Sequence, residues 1–218
     1  MTAQLAVASG LLGLLVGVAV RRLAGRFPWG SDAGTPGATV RPPVVELGTA
    51  ALFALTALRF GWSWELPAFL FLAGTAVLLT VVDLQHKLLP NRIVLPSIGI
   101  AACLLAVAAL GTGEWTPLPR AVEAAAVLFV VFFVLVLISP RSIGMGDAKL
   151  AALLGLYLGW LGWDVVLLGI AAGFVVQAVF AVLLLATRRV GLKGELPFGP
   201  AMLLGAAVVI GWSGALLS

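Results

Sequence analysis

Charge is scarce in this chain. Only 10% of its 218 residues are Asp, Glu, Lys or Arg and 62% are hydrophobic, whereas a soluble domain carries about 25% charged residues. That balance excludes a water-soluble globular protein and requires an integral membrane one. Cysteine and histidine are almost missing, with one of each. Cys103 lies inside an apolar run, so neither an intramolecular disulfide nor a cysteine zinc site can form, and the thiol reads as a small packing residue. A lone histidine, His86, rules out the His-Glu-x-x-His zinc pattern, and no Gly-x-Ser-x-Gly sequence offers a serine nucleophile. No metal and no cofactor is expected. The net charge of +4 is modest and spread over the connections, which does not point to nucleic acid.

What the chain does have is membrane-length apolar sequence. Seven tryptophans and 26 glycines suit transmembrane helices, where aromatics mark the interfaces and small residues let helices approach closely. At about 20 apolar residues per crossing, eight segments can be read: 4–20, 44–60, 66–82, 93–111, 121–139, 148–162, 164–186 and 199–217. The expected fold is all-α, a polytopic transmembrane bundle of about eight helices forming a single domain over residues 1–218. The apolar run from Leu150 to Thr187 is too long for one crossing, and Gly159-Trp160-Leu161-Gly162-Trp163 supplies its turn. Residues 21–43, rich in Gly, Pro and Arg, are too few for a domain and read as a short loop.

Basic residues orient these spans. Connections 21–43, 83–92, 140–149 and 187–198 hold 11 Lys and Arg, against only Arg59 and Arg120 on the other side. The positive-inside rule makes the first set cytoplasmic. The apolar stretch Leu5 to Val20 has no positive charge before it and Arg21-Arg22 after it, the reverse of a signal peptide, so it reads as a retained anchor with its N-terminus outside.

Two acids then stand out, Asp83 at the end of the third span and Asp147 at the start of the sixth, both on the cytoplasmic side by this count. A carboxylate at a membrane boundary is costly and is a functional candidate by default. Two carboxylates brought together can share a proton, activate a water and protonate a leaving amine, which is peptide hydrolysis without a metal or a covalent intermediate. Helix dipoles favour an ionised Asp147 and a protonated Asp83, although Lys87 folding back onto Asp83 would reverse this. Each acid also has a plainer reading: Asp147 as a helix cap, Asp83 with Lys87 as an interfacial ion pair. Gly144 and Gly146 serve either a tight turn or the close approach of a substrate backbone.

The surrounding residues resemble a known family. Asp83-Leu84-Gln85-His86-Lys87-Leu88-Leu89-Pro90-Asn91 is similar to a segment of the prepilin leader peptidases, membrane aspartyl proteases of the GxGD type, in which an Asp precedes Ile or Leu, Pro, and Asp or Asn. Gly144-Met145-Gly146-Asp147-Ala148-Lys149-Leu150 resembles their Gly-x-Gly-Asp-x-Lys motif. Arg41-Pro42-Pro43-Val44-Val45-Glu46 and Leu196-Pro197-Phe198-Gly199-Pro200 are similar to the motifs opening the second and last spans. The likeness runs from about Arg41 to the C-terminus.

The resemblance implies cleavage of the basic leader from type IV prepilins or pseudopilins at the cytoplasmic face of the bacterial plasma membrane. Asp83 and Asp147 would be catalytic, with Gly144, Gly146, Lys149, Pro90, Asn91, Glu46, Pro197 and Gly199 supporting the site or binding substrate. Larger members carry a cysteine-rich zinc-binding region between the first two spans and also methylate the new N-terminus. Residues 21–43 contain no cysteine, so a short form is expected, and N-methyltransferase activity is not.

Several side chains admit a second reading. Glu46 organises the site or only stabilises its helix start. Lys149 and Glu195 are solvated at the interface or contact substrate or headgroups. His86 is a loop residue or a proton carrier, and Gln177 makes an interhelical hydrogen bond. The competing function is a proton- or cation-coupled transporter using the same acids, which would place its charges near the midplane rather than at one face.

Overall fold

The computed structural model describes residues 2–26, 43–139, 143–186 and 197–216. Among them are eight helices and no strand: α1 (Thr2–Arg26), α2 (Val44–Phe60), α3 (Leu66–His86), α4 (Asn91–Thr112), α5 (Pro117–Ile138), α6 (Met145–Leu161), α7 (Trp163–Ala186) and α8 (Gly199–Leu216). Five are long and apolar enough to cross a membrane, α1, α3, α4, α5 and α7. The protein is an all-α multi-pass membrane protein. Each expected span has its helix, and several run further than the apolar sequence does. α1 continues six residues past Val20, so the first part of the 21–43 connection is helical; residues 27–42 lie outside the described ones.

The chain divides into two compact units, Met1–Leu88 with Gly99–Trp115, and Leu89–Ile98 with Thr116–Ser218. Helix α4 contributes to both, changing unit just after Pro96, which removes one N–H from its hydrogen-bond ladder. Cys103, expected as a packing residue, is exposed on α4.

In the first unit α1 packs along α2, and both touch α3. The approach depends on small residues. A Cβ at Gly17 would lie 2.6 Å from Glu46 Cα, and one at Gly13 would lie 2.7 Å from Ala50 Cα, so larger residues would force the helices apart. Val20 and Ala24 of α1, Val45 of α2, and Val81 and Val82 of α3 form one buried cluster. It ties the last turns of α1 and α3 to the first turn of α2.

In the second unit α6 is the central element, contacted by α5, α7 and α8. Twelve of its 17 residues are buried, which is why it is apolar on every face. Arg120 of α5 donates from Nε to Gly159 O and from Nη2 to Trp160 O, both at 2.7 Å. These are orphan carbonyls of the α6 C-terminus, and a cation suits that end of the dipole. Gly162 ends α6 and α7 begins at Trp163, where the sequence placed the turn.

Candidate active site

Within the second unit, the site is built at the start of α6. Gly144 is extended, with φ −91° and ψ 162°, and precedes the first helical residue, Met145. Asp147 is the third residue of the helix, so its side chain can reach back: Gly144 N–H donates to Asp147 Oδ2 at 2.8 Å, while Asp147 N–H donates to Gly144 O at 3.0 Å. The N-cap position expected for Asp147 is held by Gly144, and Asp147 caps from inside the first turn by accepting the Gly144 N–H. Asp147 is only 9% exposed. Burial of that carboxyl favours the neutral acid, whereas the Gly144 N–H and the helix N-terminus favour the anion.

A second segment lies on this helix start. A Cβ at Gly146 would stand 2.7 Å from Leu89 Cβ and 3.3 Å from Leu89 O, so the missing side chain is what lets residue 89 pack there. Lys149 Nζ donates to Asn91 Oδ1 at 2.6 Å. Pro90 O accepts from Ile93 N–H at 2.9 Å and Val94 N–H at 3.0 Å, which starts α4 at Asn91. Gly144, Gly146, Asp147, Lys149, Pro90 and Asn91 thus form one cluster from two motifs that are far apart in sequence. Lys149 is not simply solvated.

Within the first unit, Asp83 occupies the last turn of α3 and is 5% exposed. The helix stops at Lys87, left-handed at φ 51° and ψ 38°, whose N–H donates to Asp83 O at 2.8 Å. A non-glycine residue at such a C-terminus is uncommon. Glu46, in the first turn of α2, accepts Arg21 Nε on Oε1 at 2.6 Å. Val45 and Val82 each adjoin one of these acids in sequence and meet in the buried valine cluster, so Glu46 and Asp83 share one end of this unit.

Pro197 and Gly199 flank Phe198 at the start of α8. The Phe198 ring lies 5.3 Å from that of Phe174 and 6.0 Å from that of Phe132, so this motif anchors α8 through aromatic packing. Gln177 carries a buried Oε1 with no hydrogen-bond partner among the described residues, and the expected interhelical bond from that atom is not formed. Arg41, Pro42, Glu195 and Leu196 lie outside the described residues. Sequence reasoning passed over Leu89 and took Arg21 and Arg120 only as topology determinants. The one local signal was the absence of a side chain at Gly146 and Gly17, which marks a close neighbour without naming it.

These helices and buried helix-end acids define a polytopic membrane protein with its polar chemistry at the ends of its spans. The chain belongs to the type IV leader peptidase family, whose model it matches over residues 70–187. It is 35% identical over 179 residues to the prepilin leader peptidase/N-methyltransferase of Pseudomonas putida, covering 80% of this chain and 59% of that one. The protein of the same name from Bacillus subtilis (strain 168) is 31% identical over 179 residues, 81% of this chain and 68% of its own. In Myxococcus xanthus the corresponding figures are 35% over 164 residues, 72% and 46%. The chain therefore spans about three-fifths of the length of the Pseudomonas putida relative. No solved structure gives a significant match.

Proposed function

We propose that this protein is a membrane aspartyl endopeptidase that removes the basic leader from type IV prepilin-like or pseudopilin precursors, with Asp83 and Asp147 as its catalytic pair. The observation that carries the reading is Asp147, a buried carboxyl held by Gly144 N–H in a family motif that packs on the family's Leu-Pro-Asn segment. One carboxylate takes a proton from water as the hydroxyl oxygen bonds to the scissile carbonyl carbon. The other acid then protonates the amine as the carbon–nitrogen bond breaks. Proton sharing is assigned to the pair, whose titration belongs to both groups.

Chain order supports bringing them together. Asp83 ends α3 and Asp147 begins α6, with two spans between, so alternate crossings return the chain to the same face. On this reading residues 1–218 are a single peptidase domain in the bacterial plasma membrane, with its site facing the cytoplasm. There the basic leader stays in water while the apolar segment remains in lipid. Gly144 and Gly146 would let substrate backbone approach, and Pro90, Asn91, Lys149, Glu46, Pro197 and Gly199 would support the site. The relatives' names include N-methyltransferase; for this chain, with no cysteine in 21–43, peptidase activity alone is proposed.

The experiment is to incubate the purified protein in lipid nanodiscs with a prepilin and to locate the cut by mass spectrometry. A single cut releasing the basic leader is expected, insensitive to chelators. An intact precursor would refute the reading.

A further inference from the structure

We infer that Glu46 is a subsite for one basic residue of the leader, taking the cation on Oε2 while Arg21 keeps Oε1; this rests on the peptidase reading above. Glu46 is 9% exposed. Its Oε1 is held by Arg21 Nε at 2.6 Å, but Oε2 is buried with no hydrogen-bond partner among the described residues. A carboxylate oxygen removed from water and left without a donor is strongly unfavourable, so the site gains from a second donor. Across the helix interface, Gly17 brings no side chain and hence no such donor.

The surroundings specify what the second donor is. A carboxylate selects a cation, and Lys or Arg on an extended leader supplies one. The subsite stands at the same end of its unit as Asp83, since Val45 and Val82 join in one cluster. A leader residue held there is fixed a short distance from the proposed reacting acid. Arg21, whose side chain is 43% exposed, engages only Oε1, through Nε, and so leaves Oε2 to the leader cation.

The test is a cycle of enzyme and substrate variants in nanodiscs, read as kcat and KM. Each basic leader residue of the prepilin is changed in turn to Gln, and each precursor is offered to wild type, Glu46→Gln, Glu46→Asp and Arg21→Gln. Wild type should lose about tenfold or more in kcat/KM for one of these precursors, chiefly through KM, as expected for a desolvated charge-assisted pair. Against Glu46→Gln that same precursor should show no further loss. Glu46→Asp should recover part of the discrimination, and Arg21→Gln should retain it. Additive losses in every combination would overturn the subsite and leave Glu46 a structural acid. If Glu46→Gln does not fold, Arg21→Gln decides: discrimination abolished by removing Arg21 would also overturn the inference. Failure of wild type to cut any prepilin would instead refute the peptidase reading itself.

Discussion

Replacing Gly146 by Ala separates what the fold needs from what the site needs. The new Cβ would lie 2.7 Å from Leu89 Cβ and 3.3 Å from Leu89 O, whereas apolar carbons rest at about 3.5–4.0 Å. The neighbour is the base of a side chain and its backbone, so residues 89–91 must withdraw by roughly 1 Å. Overpacking of this kind is destabilising by about 1–3 kcal/mol, and the helix preference of Ala over Gly returns up to about 1 kcal/mol. The fold therefore loses roughly 0–3 kcal/mol. A displacement of about 1 Å in a catalytic arrangement, by contrast, lowers rates on the order of 100-fold. Cleavage of a tagged prepilin by purified protein, measured beside thermal unfolding, should show a large fall in kcat with a small change in midpoint. Gly48→Ala is the control, since a Cβ there meets nothing within 4 Å. If Gly146→Ala cleaves as fast as Gly48→Ala, the packing of Leu89 on the Asp147 helix has no part in activity.

Lys149→Met and Asn91→Ala each remove the 2.6 Å bond between α6 and α4; because the bond is exposed, each should weaken stability by about 1 kcal/mol or less. The double variant should be no worse than either single one, in a cycle measured by denaturant unfolding. Arg120→Met leaves the Gly159 and Trp160 carbonyls without their 2.7 Å donors, a loss of about 2–4 kcal/mol at two charge-assisted bonds. Hydrogen exchange should quicken at the α6–α7 junction, and an unchanged rate would contradict the capping role.

The helices were legible in the sequence because apolar length is itself the signal. Their ends were less so: α3 continues to His86 and α1 to Arg26, past the point where polar residues begin. Backbone hydrogen bonding does not stop at the water interface, so hydropathy marks the membrane edge rather than the helix end. Asp83, Asp147, Gly144 and Gly146 were found from local motifs. The ties of Arg21 to Glu46 and of Lys149 to Asn91 cross 25 and 58 residues of chain, and nothing local specifies them. Leu89 was missed for the same reason. Its role exists only opposite a glycine of α6, far away in sequence.

The central claim is that two carboxyls, one in each of two family motifs, do the chemistry together. Asp83→Asn and Asp147→Asn keep the size of each side chain and remove its charge and its titratable proton. Each variant, co-expressed with a tagged prepilin and matched to wild type for membrane abundance, should leave the precursor uncut. Cleavage persisting in either one would contradict the two-aspartate mechanism.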